Sequence, residues 1–100
     1  MRVVDRKTFL TLPAGTIYAK GIRWAFEGIC IKGESLGNDW VECDPAWVHA
    51  HDSGEAFDRL EEMLELGASY PGEQDGGRDG VYNDNAIFLV WEKGDLEWLR

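Results

Sequence analysis

The chain has 100 residues, of which 44% are hydrophobic and 12% aromatic, and its formal net charge is −9. This length predicts one globular domain, residues 1–100, and this apolar content excludes global disorder. The negative charge argues against direct binding to nucleic acid or to anionic membranes, and it favours basic proteins or cations as partners.

The N-terminal segment predicts a short helical turn and no signal peptide. Charged residues at positions 5–7 interrupt any apolar run near the start, and the longest fully apolar run, residues 86–91, is too short to cross a bilayer. We therefore expect a cytoplasmic protein. Asp5 can cap a helical turn that reaches Leu10, and Pro13 then stops it.

Four stretches of the chain predict strands. Segments 16–21, 23–33 and 38–44 are rich in β-branched and aromatic residues, and 23–33 predicts either one strand or a bent pair of strands. The polar, glycine-bounded segment 33–38 predicts a hairpin with a longer loop. Segment 86–93 is apolar on both faces, so we expect it in the interior of the sheet.

The clearest predicted element is a helix that begins at Asp52 or Ser53 and ends at Gly67. Asp52 is a suitable N-cap, and a glycine can adopt the left-handed conformation that closes many helices. Apolar residues at helical spacing form one stripe along it: Ala56, Phe57, Leu60, Met63 and Leu64. A long loop over 68–84 follows the helix, and Asp95 caps a final helical turn.

These elements together predict an α+β fold. We expect a small antiparallel or mixed sheet of about four strands packed against one main amphipathic helix, with short helical turns near both ends of the chain. Cys30 and Cys43 fall on neighbouring predicted strands. Geometry there permits a cross-strand disulfide under oxidation, but two reduced, small apolar side chains are the preferred interpretation.

The acidic residues are concentrated in one part of the chain. Residues 52–85 contain ten acids and two bases, a net charge of −8, whereas the other 66 residues have a net charge of −1. Five acids lie close together on the predicted helix: Glu55, Asp58, Glu61, Glu62 and Glu65. Like charges at this spacing destabilise a helix by about 0.2–0.5 kcal/mol per pair. The row is therefore either a solubilising surface or a binding site for a basic partner, with Asp75 and Asp79 at its far edge.

Two groups of residues are candidate metal ligands. The stretch 75–85 lacks the third ligand and the final glutamate of an EF-hand, which leaves an irregular calcium site. Its ligands would be Asp75, Asp79, Asn83 and Asp84. His49 and His51 would project to the same side of an extended segment and could hold a transition metal. Turn residues and ordinary surface histidines are the preferred interpretations, so no metal or other cofactor is expected.

The chain contains no recognised catalytic or nucleotide-binding motif. Glycine-rich dinucleotide and Walker patterns are absent from it. His51 beside Asp52, and the thiol of Cys43, lie in no known nucleophile motif. We therefore expect a protein without enzymatic activity.

The stretches FLTLPAGTIY (9–18) and GRDGVYNDNAIFLVWEK (77–93), with the small size and the segregated charge, resemble small acidic proteins encoded by bacteriophages and mobile elements. This resemblance covers most of the chain and implies a location in the host bacterial cytoplasm. Some proteins of that kind are anti-CRISPR or other anti-defence inhibitors, and several of those mimic DNA. The resemblance therefore implies an inhibitory role.

Three function hypotheses follow from the sequence. In the first, the protein is a non-enzymatic inhibitor whose acidic helix and 73–85 loop dock on a basic, nucleic-acid-binding surface of a host protein. In the second, it is a small-ligand or metal-binding module that uses the 75–85 loop or His49 and His51. In the third, it is a structural or oligomeric phage component with exposed tryptophans at its interface.

Overall fold

The computed structural model describes residues 1–22, 25–73, 76–78 and 85–98, and within these residues the chain is α+β. The described residues form one antiparallel sheet with strand order β1-β6-β2-β3-β4-β5 and three helices. In chain order the elements are β1 (Arg2–Asp5), α1 (Arg6–Leu10), β2 (Ile17–Ile22), β3 (Ala25–Leu36), β4 (Asp39–Cys43), α2 (Ser53–Leu66), β5 (Gly77–Arg78), β6 (Ile87–Val90) and α3 (Lys93–Trp98). None of these helices is both long and apolar enough to cross a membrane.

The sheet has more strands than the sequence predicts. The two additional strands, β1 and β5, lie at opposite edges of the described sheet, and β5 contributes only two residues. The sequence of β1, RVVD, does not alternate apolar and polar residues, and β5 is too short to show any pattern. Strand β6 pairs with β1 on one side and β2 on the other, so the prediction of an interior strand is confirmed.

The hairpin between β3 and β4 is tighter than predicted. Leu36 pairs with Asp39, so only Gly37 and Asn38 form the turn, and the prediction of a longer loop is wrong. Gly37 has a φ of 66°, a left-handed conformation that glycine adopts without steric cost. Strand β3 therefore extends to Leu36 and includes most of the polar segment 33–38 that the sequence assigns to a loop.

The core lies between one face of the sheet and helix α1. Asp5 caps α1 by accepting a hydrogen bond from the Thr8 backbone N–H at 2.8 Å, as predicted. The ring of Phe9 stacks on Phe88 of β6, with 4.1 Å between the ring centroids. It also meets the rings of Tyr18 and Trp40 edge-on, at centroid distances of 4.6 Å and 5.0 Å. A five-residue helix thus covers the centre of the sheet by inserting one aromatic side chain.

A chain of hydrogen bonds satisfies the polar groups of Trp40 and Tyr18 in this core. The Trp40 indole N–H donates to the Tyr18 hydroxyl at 2.8 Å, and that hydroxyl donates to Glu42 Oε2 at 2.8 Å. Burial is the main cause that raises the pKa of Tyr18, and the nearby Glu42 carboxylate raises it further. Tyr18 therefore stays protonated and can act as donor and acceptor at once.

Helix α2 has the predicted ends but not the predicted packing. The Asp52 side chain accepts from the Glu55 N–H at 2.8 Å, and Gly67 closes the helix with a φ of 67°. Across Ser53–Leu66, all of which are described, Ala56 alone is buried. The expectation that the sheet packs against this helix is not confirmed, because Phe9 of α1 occupies the centre of the sheet face.

Replacing Tyr18 with Phe tests the buried hydrogen-bond chain. The variant leaves the Trp40 N–H buried without its acceptor, so we expect a loss of about 1–3 kcal/mol in the free energy of unfolding. Urea unfolding followed by tryptophan fluorescence measures the loss. Tyr70→Phe is the matched control, because Tyr70 is only half-buried and water can reach its partner; it should lose clearly less. Equal losses in the two variants would contradict this account.

Candidate functional site

Helix α2 rests on the segments that flank it in the chain. Residues 47–49 and 71–73 pair with each other: Val48 forms an isolated antiparallel bridge with Gly72. The His49 N–H donates to the Pro71 carbonyl, and the Glu73 N–H donates to the Trp47 carbonyl, both at 2.9 Å. We call these two paired segments the clasp. It closes the chain around both ends of the helix and fixes the position of α2.

Arg59 joins α2 to the clasp. It is the only base of this helix, and its guanidinium donates to the His49 carbonyl at 2.6 Å. The same group forms an ion pair with Glu55 at 2.7 Å, one helical turn away. It also lies over the ring of Tyr70, 4.9 Å from the ring centroid. Two of the three contacts, those with His49 and Tyr70, therefore hold the helix to its flanks, while the ion pair with Glu55 lies within the helix.

The structure divides the five predicted acids of α2 into two kinds. Glu55 is paired with Arg59, and Glu62 accepts a hydrogen bond from the Tyr70 hydroxyl. That bond raises the pKa of Tyr70. The other three are exposed and have no hydrogen bond or ion pair with any described residue. We call them the free carboxylates: Asp58, Glu61 and Glu65.

The remaining predicted partner-binding residues, Asp75 and Asp79, lie outside the described residues. Two further candidate calcium ligands, Asn83 and Asp84, lie outside them as well. The predicted long loop over 68–84 is interrupted where it is described, because it contains the Gly72 bridge and strand β5. Of the predicted acidic site, the structure therefore describes only the part on α2.

Beside the free carboxylates runs an apolar line that the sequence assigns to the core. Phe57, Leu60 and Leu64 form this line, which we call the apolar seam. Phe57 is 63% exposed and Leu64 is 86% exposed, while Leu60 is half-buried. The ring of Trp47 in the clasp meets Phe57 edge-on at 6.3 Å. The prediction that this apolar stripe packs against the sheet is not confirmed. Part of the stripe packs against the clasp instead, and the rest is exposed.

A second acidic feature, not predicted from the sequence, lies where β3, β4 and β5 meet. A cleft of about 400 Å³ opens there, and the residues that line it include Glu27, Cys30, Glu42, Cys43, Asp44 and Glu73. Two of its carboxylates already accept hydrogen bonds, Glu42 from Tyr18 and Glu73 from the Asp44 N–H at 2.6 Å. Burial and the neighbouring carboxylates raise the pKa of Cys30. Its thiol is therefore a weak nucleophile at neutral pH.

The candidate metal ligands in the described part of the chain do not come together. His49 is half-buried and its backbone is engaged on both sides, by Pro71 and by Arg59, whereas His51 is exposed just before the helix. No three histidine, cysteine, aspartate or glutamate side chains among the described residues are placed to hold a metal ion. The two histidines therefore lack a third ligand within this part of the structure.

The tryptophans differ widely in exposure. Trp40 is buried in the core, Trp47 packs on Phe57 with 39% of its surface exposed, and Trp98 at the end of α3 is 86% exposed. The expectation that some tryptophans lie at the surface is therefore confirmed.

Helix α3 begins at Lys93, two residues before the predicted cap, and the Asp95 carboxylate accepts from the Glu92 N–H.

Replacing Arg59 with Gln tests how α2 is held. The variant removes the ion pair and the charged hydrogen bond, so the free energy of local opening of α2 should fall by about 1.5–3 kcal/mol. Native-state hydrogen exchange measures this for α2 and for β2 and β6 separately. Arg59→Lys keeps the charge but not the planar fork, and should give an intermediate loss. Equal loss of protection in the helix and in the sheet would contradict a local anchoring role.

The register of β3 and β4 gives a second prediction. Cys43 lies opposite Ile31, so Cys30 is offset by one residue and projects to the other face of the sheet. Neither cysteine is in a disulfide, and the native chain should not form an intrachain disulfide when it is treated with diamide. Intact mass with and without alkylation measures this. The urea-unfolded chain is the control and should form the disulfide; rapid formation in the native chain would show that the register is wrong.

Comparisons of the chain with protein-family models, with curated proteins and with solved structures find no match. Its function is therefore inferred from its own residues. Helix α2 places three carboxylates that pair with no described residue beside the apolar seam.

Proposed function

We propose that the protein is a non-enzymatic inhibitor whose helix α2 binds a basic surface of a partner protein, a surface that otherwise contacts nucleic acid. One observation carries the proposal: Asp58, Glu61 and Glu65 lie exposed on one helix with no ion pair to any described residue. A solubilising surface needs no such segregation of one charge. A basic surface supplies the counter-charges that these carboxylates lack.

The dimensions of the row fit a short stretch of phosphates. Asp58 and Glu65 are seven residues apart, which is about 10 Å along a helix axis. One strand of DNA carries a charge about every 3.4 Å along its axis, so this length spans roughly three intervals between phosphates. The free carboxylates can therefore occupy a groove whose lysines and arginines are spaced for a nucleic-acid backbone.

The energetics of the helix favour the same conclusion. Glu61 lies three residues after Asp58 and four residues before Glu65, so two pairs of like charges are neighbours on the helix surface. Each pair destabilises the free helix by about 0.2–0.5 kcal/mol. A basic partner removes this repulsion on binding, and the net charge of −9 accelerates the encounter.

Neutralising the free carboxylates tests the proposal. The triple variant D58N/E61Q/E65Q should lose binding to the partner, because it removes three charges from α2 without touching the Arg59 or Tyr70 contacts. The matched control E27Q/E34Q/E97Q removes the same charge from exposed glutamates on β3 and α3. Both variants have the same net charge, so they separate the effect of position from the effect of total charge.

The assay uses immobilised protein and a bacterial lysate, at about 50 mM and about 500 mM salt. Wild type and control should capture nucleic-acid-binding proteins at low salt and release them at high salt. Each captured protein is then bound to a labelled duplex, and wild type should displace the duplex at concentrations at least about tenfold lower than the triple variant needs. If the triple variant captured the same proteins and displaced the duplex equally well, the proposal would be wrong.

A further inference from the structure

We infer that the partner element bound by α2 is itself an α-helix, one that carries an apolar stripe with lysine or arginine along one side. This inference rests on the proposed function, because it concerns the same face of α2. It adds that the apolar seam, and not the free carboxylates alone, is part of the contact. The seam distinguishes such a helix from a flat basic groove.

The spacing of the apolar seam is that of a helix–helix contact. Phe57, Leu60 and Leu64 stand at positions i, i+3 and i+7, the a, d and a positions of a heptad. The two a positions are the most exposed of the three, at 63% for Phe57 and 86% for Leu64. A second helix laid along α2 would bury both of them over two helical turns. Scattered single apolar residues need no partner, but a heptad line of them favours one.

The charges beside the seam define the chemistry of that second helix. Glu61 immediately follows Leu60 and takes the e position, where coiled coils place the charges that select a partner. Asp58 and Glu65 continue the negative surface on the same side. On the opposite side of the seam lie Ala56, which is buried, and Met63, which lines the pocket between α2 and the clasp. Basic residues are therefore required along one side of the partner's apolar stripe.

Charge complementarity also rules against two other occupants of the seam. A second copy of this chain would bring its own acidic α2 against the first, and the segment 52–85 alone has a net charge of −8. Insertion of the seam into an anionic membrane would bring the free carboxylates against negatively charged headgroups, which repel them. A basic amphipathic helix buries the apolar residues and neutralises the free carboxylates in one contact.

Synthetic helices provide the test. The probe is a peptide of about three heptads with leucine at a and d and lysine beside them. A second peptide has the same composition in scrambled order, and so has the same charge without the stripe. Fluorescence anisotropy at about 150 mM salt gives the Kd of each for wild type, for L64S and for D58N/E61Q/E65Q. L64S is chosen because Leu64 is 86% exposed and contributes little to the fold, and circular dichroism confirms that the helix is retained.

We expect the striped peptide to bind wild type at least about tenfold more tightly than the scrambled peptide, and L64S to lose at least about fivefold in affinity. L64S should keep the salt dependence of binding, whereas D58N/E61Q/E65Q should reduce it. Equal binding of the two peptides, or unchanged binding by L64S, would overturn the inference.

Two controls separate this inference from the proposed function. If L64S binds like wild type while D58N/E61Q/E65Q still loses affinity, only the helical partner is overturned. If D58N/E61Q/E65Q binds like wild type, the proposed function itself is overturned. Sedimentation of the free protein gives the other control. A dimer that L64S dissociates would mean that a second copy covers the seam, and this too would overturn the inference.

Discussion

The stacking of Phe9 on Phe88 closes the core of this protein, because it brings a five-residue helix onto the centre of the sheet. Tyr18 and Trp40 surround the same ring edge-on and complete an aromatic cluster whose members are fully or almost fully buried. Aromatic pairs in such arrangements stabilise a core beyond the area they bury. The short helix α1 thus performs the covering role that a long amphipathic helix usually has in an α+β domain.

Because α1 already covers the centre of the sheet, the long helix α2 lies at the surface of the domain. It is held by the clasp and by Arg59, and these contacts use the Glu55 side of the helix. They leave Phe57, Leu64 and the three free carboxylates exposed. Helix α2 therefore lies outside the aromatic core, and its exposed residues are the ones that the proposed function uses. Local anchoring by a few polar contacts also favours helix opening without unfolding of the sheet.

How far the sequence predicts this structure depends on how local each feature is. The ends of α2 follow from Asp52 and Gly67, because capping involves residues within one turn. Strands β1 and β5 are not predicted, since their pairing with distant strands is what makes them strands.

The candidate site shows the same limit. Helical spacing places the five acids of α2 near one another, but it does not show which of them are paired. The Arg59–Glu55 contact is local, four residues apart along the helix, and so is within reach of sequence reasoning. The bond from Tyr70 to Glu62 depends on the path of the chain after Gly67, which periodicity does not encode. Likewise, a hydrophobic stripe identifies an apolar side of a helix but not what covers it.

The position of β6 has a consequence for the order in which the chain folds. It pairs with β1 through Arg2 and Val90 and with β2 through Tyr18 and Val90, so the last described strand lies between the first two. During synthesis neither β1 nor the edge of β2 that faces away from β3 can complete its pairing until residues 87–90 have left the ribosome. Such contacts between distant parts of a chain slow folding. A nascent chain therefore has an open β2 edge and an incomplete aromatic core until residues 87–90 have emerged, and open strand edges of this kind promote aggregation.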